Sequence, residues 1–329
     1  MSVSRFPHGI SSFGNIIDGI GLSSGIGNTY YVCKDTTAAW YARWLDNHNQ
    51  VYDDGSIACH TTIQSAHDAC TTDRGDVIII TPSLTDYDIS ATTTISKNRL
   101  VIICPQNIIP GGYCGNQCRL HNAGDYPFFT ITATASITIA GLFFRETTSS
   151  GDDYPIIDVQ AGAQVWGISL LNNWFGGATG ASGHATKGLV NFGDAGGAHN
   201  IINNMISIYN PTDSRTTAAL LRFAAQVQGC IIKENWFHCG SHAQTISKCI
   251  SMEGSSYNNF ITGNRIHETQ TGTCILTNAI TAGDDHVAEN TVTVTAANAA
   301  SMMGGGTANL TFVRNFGSNK GGLDAEALV

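Results

Sequence analysis

The chain has 329 residues, of which only 12% are charged, and a formal net charge of −9 with a pI near 5.6. This low charge, together with 42% hydrophobic residues and 36 glycines, excludes a disordered chain or a coiled coil and favours many short strands joined by turns. Sixteen basic residues without a Lys/Arg run argue against nucleic acid or an anionic membrane surface as the main partner, and the lack of an 18-residue apolar stretch argues against a membrane span.

Residues 1–60 are glycine-rich and irregular, and we expect them to form an N-terminal arm and attachment segment. The opening MSVSRFPHGISSFG lacks the apolar core of a secretion signal, so we expect assembly in a cytoplasm. Aromatic and arginine side chains dominate many interface centres. The residues expected to anchor the arm to a partner are therefore Arg5, Phe6, Pro7, His8 and Phe13.

The next segment, TTIQSAHDACTTDRG (61–75), predicts an amphipathic helix that ends at Gly75. One face of this helix carries Ile63, Ala66, His67 and Cys70, at the spacing i, i+3, i+4 and i+7. Strands are predicted after it at 76–82 and 98–106. A helix in this place would cover the open first coil of a stack and hide its unpaired strand edge.

From residue 139 onward one pattern recurs, with an asparagine at the sixth place of each segment and spacings of 31, 31, 29, 26 and 25 residues. The segments are ISLLNNWF, HNIINNMI, CIIKENWF, NFITGNRI, DHVAENTV and LTFVRNFG, with Asn173, Asn204, Asn235, Asn264, Asn290 and Asn315. A second series lies upstream of them and reads FFTI (128–131), IIDV (156–159), LVNF (189–192), LLRF (220–223), CISM (249–252) and CILT (274–277).

Two to three short strands in each repeat predict an all-β chain, a single-stranded right-handed parallel β-helix over 76–317 followed by a short tail at 318–329. Helical repeats do not suit segments that are rich in β-branched, aromatic, Gly, Asn and Thr residues. The asparagine column has two physical roles. Asparagine tolerates the left-handed conformation of a sharp bend, and stacked amides can bond from coil to coil.

Within the IIDV-type strands, the second and fourth positions should point inward and the first and third outward. The third position aligns Asp158, Asn191 and Arg222, which would line a carbohydrate groove if the chain has one, although a plain polar ladder is the simpler interpretation. The first position is apolar, and an exposed apolar stripe of that length marks an interface. We therefore expect self-association, as a homotrimer with parallel rod axes, through Ile156, Leu189, Leu220, Cys249 and Cys274, unless loops of the same chain cover the stripe.

The ten cysteines are interpreted as free thiols, several of them packed as small hydrophobic residues. Two groups approach a zinc-ligand spacing without a clear fourth ligand: Cys114, Cys118 and His121, and His238, Cys239 and His242. The sequence assigns no metal, cofactor or catalytic residue. Acidic pairs such as Asp53–Asp54 lie beside glycine in predicted turns, where neighbouring carboxylates diverge into solvent.

The order TYYV, then TTIQSAHDACTTDRGDVIII, then an apolar strand pair and the coils, resembles the pectin-lyase-like superfamily of right-handed parallel β-helices over residues 29–317. The opening SRFPHGISSFG resembles the short N-terminal arm of β-helix proteins encoded in tailed-phage genomes. The first resemblance implies the fold. The second implies a virion protein, and fold alone does not choose among lyases, hydrolases, adhesins and structural proteins.

Three functions are compatible with these observations. The first is a non-enzymatic virion protein, a capsid decoration or head-associated rod that docks through its arm on the major capsid protein or another virion protein. The second is a phage tailspike or tail-fibre protein that binds or cleaves polysaccharide as a lyase or glycosidase, with host-surface glycans as partners. The third is an extracellular adhesin or filament subunit. The sequence favours the first, because it offers no convincing acid/base pair and its arm suits docking.

Overall fold

A computed structural model describes the backbone of residues 11–12, 15–16, 27–83, 85–105, 118–122, 124, 126–146, 154–177, 187–208, 216–217, 219–239, 245–246, 248–269, 275–277, 285–294, 303–305, 310–313, 315–319 and 326–328. The chain forms a parallel β-helix in which three long sheets run along the stack. The predicted fold class is therefore confirmed.

From Thr93 to Asn319, each coil contributes one strand to each sheet, and sheets 2 and 3 have further strands before Thr93. In stacking order, the strands of sheet 1 are Thr93–Ile95, Phe129–Ile131, Ile157–Val159, Val190–Phe192, Leu221–Phe223, Ile250–Met252, Ile275–Thr277 and Met303–Gly305. Those of sheet 2 are Cys59–His60, Thr29–Val32, Val77–Ile80, Leu100–Ile103, Ile137–Ala140, Ser169–Leu171, Asn200–Ile202, Ile231–Lys233, Phe260–Thr262, Asp285–Ala288 and Leu310–Val313. Those of sheet 3 are Tyr87–Ile89, Arg119–Asn122, Phe143–Glu146, Trp174–Gly177, Met205–Ile208, Trp236–Cys239, Arg265–Thr269, Thr291–Val294, Asn315–Asn319 and Glu326–Leu328.

Smaller sheets form at the corners and ends. Val165–Trp166, Gly196–Gly197, Val227–Gln228 and Ser256–Tyr257 stack as a four-stranded sheet, and Thr216–Thr217 pairs with Thr245–Ile246. Pairing is parallel throughout the stack, and the last strand of sheet 3, Glu326–Leu328, returns antiparallel. Ser11–Ser12 and Asn15–Ile16 form a separate antiparallel pair. The predicted strand series at 128–277 coincides with sheet 1.

Two helices precede the regular coils: α1, Tyr41–His48, and α2, Ile63–Ala69. The predicted helix at 61–75 is present as α2 but is shorter. Thr62 caps it by accepting a hydrogen bond from the Ser65 N–H at 3.1 Å. Its predicted apolar face is confirmed, because Ile63, Ala66 and His67 are buried and Cys70, directly after it, is buried too.

Helix α2 covers the first edge of sheet 1, where its side chains accept hydrogen bonds from the backbone of the edge strand. The edge strand Thr93–Ile95 lacks a preceding strand, and side chains of α2 take the place of that strand's carbonyl groups. The Thr94 N–H donates to Gln64 Oε1 at 3.0 Å, and the Ser96 N–H donates to His67 Nε2 at 3.0 Å. Burial lowers the pKa of His67, which keeps this nitrogen unprotonated and able to accept.

The asparagine column lies at the bend between sheets 2 and 3. Five of its members, Asn173, Asn204, Asn235, Asn264 and Asn290, are almost fully buried, and the side chain of Asn315 lies outside the described residues. Asn235 shows the repeated pattern. Its Oδ1 accepts from the Asn204 N–H at 2.9 Å and from Asn204 Nδ2 at 3.0 Å. Its Nδ2 donates to the Ile201 carbonyl at 2.8 Å and to Asn264 Oδ1 at 3.0 Å. The predicted coil-to-coil amide stacking is confirmed.

The left-handed conformation, however, belongs to the residue before each ladder asparagine. Asn172, Asn203, Glu234 and Glu289 have φ between 54° and 58°. The sequence assigned this conformation to the ladder residue itself, which was wrong. The reason is that the ladder side chain must turn inward to reach the neighbouring coils, so the preceding residue makes the bend.

A second buried polar position lies at the start of the sheet 2 strands. His199 is 1% exposed, its Nδ1 accepts from the Ile168 N–H at 3.2 Å, and its ring packs against Phe192 at 4.7 Å between centroids. Burial lowers the pKa of His199 to about 3. Two coils further on, Asn259 occupies the equivalent position. Like His199, it accepts a hydrogen bond from the backbone N–H of the preceding coil, here from Cys230 to Oδ1 at 2.9 Å.

We expect Asn235→Ala to lower the free energy of unfolding by about 2–5 kcal/mol, because the buried Asn204 N–H and Ile201 carbonyl each lose a partner. Chemical denaturation measures this. The control is Lys233→Ala on the exposed outer face, where we expect a change within about 0.5 kcal/mol. Equal effects of the two substitutions would contradict the ladder's role.

We expect His199 to make stability pH-dependent. Between its ordinary pKa of about 6.5 and its folded value of about 3, only the unfolded chain binds the proton, so stability falls as pH falls below 6.5. The loss from pH 7.5 to 5 is roughly 2 kcal/mol. His199→Asn keeps an acceptor without a titrating ring, as Asn259 does. Denaturation at both pH values should show a smaller pH effect in this variant, and an unchanged effect rules the assignment out.

Candidate functional surfaces

The first candidate surface is the charged row on the outer face of sheet 1. Register pairs Asp158 with Asn191, Asn191 with Arg222 and Arg222 with Ser251, so the predicted column is correct. Asn191 Nδ2 donates to Asp158 Oδ1 at 2.8 Å, and Arg222 Nη1 donates to Asn191 Oδ1 at 3.1 Å. The amide therefore bridges the two charged side chains.

Both ends of this row have further partners. Lys187 Nζ donates to Asp158 Oδ2 at 3.0 Å, and Gln160 Nε2 donates to the same oxygen. At the other end, Arg222 holds Glu253 through two bonds, Nε to Oε1 at 3.0 Å and Nη2 to Oε2 at 2.7 Å. These bonds lower the pKa of Glu253. Hydrogen bonds and ion pairs therefore link the row continuously from Lys187 to Glu253.

Its geometry fits a structural ladder better than a hydrolytic centre. Asp158 is 2% exposed, and its carboxylate accepts hydrogen bonds from donors of its own chain. Asp158 and Glu253 lie three coils apart, which the strand spacing makes about 14 Å. Glycosidases place their two carboxylates about 5–9.5 Å apart. Asp158 and Arg222 therefore match the simpler of the two sequence interpretations, a polar ladder.

The prediction of an exposed apolar interface on sheet 1 was wrong. Ile156, Leu189, Leu220 and Cys249 are 0–1% exposed and belong to the central core, and Cys274 lies outside the described residues. Each of the four precedes its strand by one residue. Alternation between inside and outside holds only within an extended strand, and at the corner before it the chain turns around the core, so two successive side chains point inward. The exposed stripe from which a trimer was predicted does not exist here.

Neither of the two groups whose spacing approaches that of zinc ligands is described in full. Cys118 is joined to Cys104 by a disulfide with Cα atoms 6.1 Å apart, and His121 Nδ1 contacts Asp88 Oδ1 at 2.8 Å. Cys114 and His242 lie outside the described residues, as does the side chain of Cys239. His238 instead stacks on His267 at 5.5 Å between ring centroids. Within the described part of the chain, no group of three or more His, Cys, Asp or Glu side chains is placed to hold a metal.

The disulfide also corrects the interpretation of the cysteines. Five described cysteines are buried free thiols as expected: Cys33, Cys59, Cys70, Cys230 and Cys249. Cys104 and Cys118 flank an insertion of thirteen residues between a sheet 2 strand and a sheet 3 strand. Both lie at the same corner of one coil. Their sequence separation of 14 hides this proximity.

The second candidate surface lies at the N-terminal end of the stack. We define the N-terminal apolar face as Trp40, Val51 and Ile57, whose side chains are 44%, 69% and 48% exposed. Val51 and Ile57 pair across a short antiparallel bridge. None of the residues of the adjacent helix α1 is buried. Trp40 stands at the start of α1, whereas Val51 and Ile57 follow its end, so the three side chains are near in sequence and belong to two different elements.

The sequence assigned residues 1–60 to attachment but did not find this face. The available signal was the aromatic spacing of Trp40, Tyr41 and Trp44 in a short helical segment. The expected anchors Arg5, Phe6, Pro7, His8 and Phe13 lie outside the residues whose side chains the structure describes. Their role stays a prediction.

The outer face of sheet 3 carries a row of large side chains in register: Phe143, Trp174, Met205 and Trp236. The rings of Phe143 and Trp174 stack at 4.3 Å with an interplanar angle of 11°. Trp174 Nε1 donates to Ser207 Oγ at 3.0 Å, which fixes the indole. The two tryptophans and Phe143 are half-buried, so part of each ring faces solvent.

One further exposed apolar pair lies on the outer face of sheet 2, where Ile231 and Phe260 are neighbours in register. Their side chains are 37% and 50% exposed. This pair is far along the stack from the N-terminal end, because six strands of sheet 2 separate Ile231–Lys233 from the end strand Cys59–His60. Across the described ranges, no helix is long and apolar enough to cross a membrane.

The chain was compared with protein families, curated proteins and solved structures. No protein-family model matches the chain, and no curated protein matches it. Among solved structures, a similarity is found to "Geobacillus virus E2 - ORF18", with 12% sequence identity and a TM-score of 0.31. It covers 78% of this chain and 57% of that chain, so this chain spans just over half of that protein's length. A TM-score this low supports no argument about fold or function.

We expect Asp158→Asn to lower the free energy of unfolding by about 1–3 kcal/mol, because Lys187 and Asn191 lose a charged acceptor in a buried place. The matched control is Asp46→Asn on the exposed side of α1, with a change within about 0.5 kcal/mol. Denaturation of both variants measures the difference. If Asp158→Asn is as stable as Asp46→Asn, the charged row does not stabilise the fold.

Proposed function

We propose that this chain is a non-enzymatic structural protein of a bacteriophage particle, a capsid decoration or head-associated rod that docks through its N-terminal end. The observation that carries the non-enzymatic part is the charged row on sheet 1, whose members bond one another along the stack. Its best-buried carboxylate, Asp158, is bonded to Lys187 and Asn191 rather than placed opposite a second carboxylate. The phage part rests on the resemblance of the opening SRFPHGISSFG segment to phage virion arms.

The mechanism we propose is mechanical. Parallel strands stacked in register, with buried amide ladders at their bends, give a stiff body whose backbone is bonded from coil to coil. Such a rod carries its outer surface at a fixed distance from whatever holds its end. The partner we propose is the major capsid protein or another virion protein.

We expect a chain lacking residues 1–14 to fold but to be absent from particles, because these residues hold the anchors Arg5, Phe6 and Phe13. Circular dichroism and thermal melting report on folding, and mass spectrometry of purified particles reports on incorporation. A matched pair of full-length variants localises the effect. Alanine at Arg5, Phe6, His8 and Phe13 should abolish incorporation, and alanine at Ser2, Ser4, Ser11 and Ser12 should not.

Incorporation of the truncated chain at the wild-type level would contradict the anchor role. Wild-type chain absent from purified particles would contradict the virion assignment as a whole. In the latter case the rod would need another setting, such as an exported adhesin.

A second candidate function is glycan binding, as in a tailspike. The observation that favours it is the outer row of sheet 3, because the half-buried rings of Trp174 and Trp236 leave apolar ring surface exposed, on which the C–H groups of sugars can pack. Binding of host polysaccharide that Trp236→Ala removes, without release of reducing ends, would favour a binding role. Release of oligosaccharides would favour a depolymerase.

Self-association as a homotrimer stays a proposal. Within the described residues, the exposed pair Ile231 and Phe260 now offers an apolar side surface, in place of the buried residues of sheet 1. Sedimentation velocity of the full chain measures the oligomeric state.

A further inference from the structure

A lysine, a buried carboxylate and an amide meet at the corner that precedes the sheet 1 strand Val190–Phe192. Lys187 Nζ donates to Asp158 Oδ2 at 3.0 Å, and Asn191 Nδ2 donates to Asp158 Oδ1 at 2.8 Å. Both nitrogen atoms are therefore held within hydrogen-bond distance of one carboxyl group. Asp158 and Asn191 are each 2% exposed, so this contact is shielded from water. Gln160 Nε2 also donates to Oδ2 and helps to orient the carboxylate.

The amide of Asn191 is engaged at its oxygen as well as at its nitrogen. Arg222 Nη1 donates to Asn191 Oδ1 at 3.1 Å, and Arg222 is itself held by two bonds to Glu253. A fixed cation on a carbonyl oxygen stabilises the negative charge that develops there when a nucleophile adds to the carbon. The Asn191 amide thus has a charge-stabilising donor on its oxygen and a proton-carrying group on its nitrogen.

The backbone brings the lysine to this place. Gly188 has φ 77°, and a Cβ there would lie 2.4 Å from the Ala219 carbonyl oxygen, so the tight corner requires glycine. Lys187 and Asn191 lie on the two sides of this corner, and Asp158 is the register partner of Asn191 one coil back. An amine and an amide that the fold already holds together avoid most of the entropy cost of a reaction between them.

We propose that Lys187 and Asn191 join covalently, as an isopeptide bond that the chain forms by itself. Nζ of Lys187 forms the new bond to Cγ of Asn191, and the bond from Cγ to Nδ2 breaks. Of the three hydrogens on the lysine ammonium, one stays on the new amide and two pass through the Asp158 carboxyl group to the departing nitrogen. That nitrogen leaves as ammonium, Asp158 is a carboxylate again, and the reaction consumes no further reactant.

The surroundings suit each part of this step. Because Asp158 is almost fully buried, transfer of a proton from the ammonium to its carboxylate replaces two charges by two neutral groups where charges are poorly solvated. The neutral amine that results is the nucleophilic form of lysine. The Lys187 side chain is 38% exposed, so the released ammonium has a path to solvent.

The arrangement occurs once in the sheet 1 row. Its successive rungs in register are Thr130, Asp158, Asn191, Arg222 and Ser251, of which one carries an amide. The crosslink would close a ring around Gly188, so that this corner could not open without breaking a covalent bond. The inference concerns the rod itself and goes beyond the proposed function, on which it does not depend.

The test is mass spectrometry of the purified full-length chain. We expect nearly all of the wild-type chain to be lighter than its sequence mass by one ammonia. Trypsin cleaves after free lysine, and Lys187 is the one lysine or arginine between Arg145 and Arg215. A crosslinked chain should therefore give one peptide, 146–215, that is short of one ammonia, in place of the two peptides 146–187 and 188–215.

Three variants assign the mass change. Lys187→Arg keeps the positive charge beside Asp158 but provides no amine, so it should have its full sequence mass. Asp158→Asn removes the proton carrier and should have its full sequence mass as well. The matched control is Lys248→Arg, at the corner before the strand Ile250–Met252 two coils further on, which should lose ammonia as the wild type does. Thermal melting shows which variants are folded.

A folded wild-type chain at its full sequence mass, cleaved after Lys187, overturns the proposal. Loss of ammonia that persists in Lys187→Arg overturns it too, because such a loss arises without the lysine. Neither result bears on whether the chain is part of a particle, which incorporation measures separately.

Discussion

The bend between sheets 2 and 3 is the constraint on which the rest of the molecule depends. A chain that turns sharply there leaves a backbone N–H and a carbonyl inside the stack, where water cannot reach them. The ladder asparagines satisfy both and also bond one another, so Asn235 is tied to the coil before it and the coil after it. A buried amide left without partners is expensive. From Asn173 to Asn290, one residue type at one position therefore ties each coil to the next at this bend.

Because the register is fixed, side chains at equivalent positions of successive coils form continuous rows on the outer faces of the sheets. The side chains that face outward on sheet 1 meet their neighbours one coil away, which is why Asn191 can bridge Asp158 and Arg222. The same stacking places Phe143 on Trp174 and His238 on His267. Such rows bond along the rod axis rather than toward a substrate. A charge in the row is compensated by the chain itself, and this favours a structural role for the row.

The sequence predicted what repeats and missed what occurs once. The asparagine column, the strands of sheet 1 and the apolar face of α2 recur or follow a helical period, so they can be found without coordinates. The side-chain direction at Ile156 could not, because it depends on where the strand begins within the corner. The pairing of Cys104 with Cys118 depends on an insertion within one coil. The apolar face at Trp40 depends on how a single helix rests on Tyr31.

The two ends of a stack differ from its sides in one physical respect. A side chain changed on the side alters one rung, whereas an end must hide unpaired strand edges or it will pair with other chains. At the first edge of sheet 1, Gln64 and His67 supply the missing acceptors, so the edge is closed without a further strand. Helix α1 and the Val51–Ile57 hairpin lie outside the three sheets and take no part in their ladders. They can therefore expose Val51 and Ile57 without disturbing the register of the coils behind them, whereas a change on a side of the stack alters a rung that both neighbouring coils share.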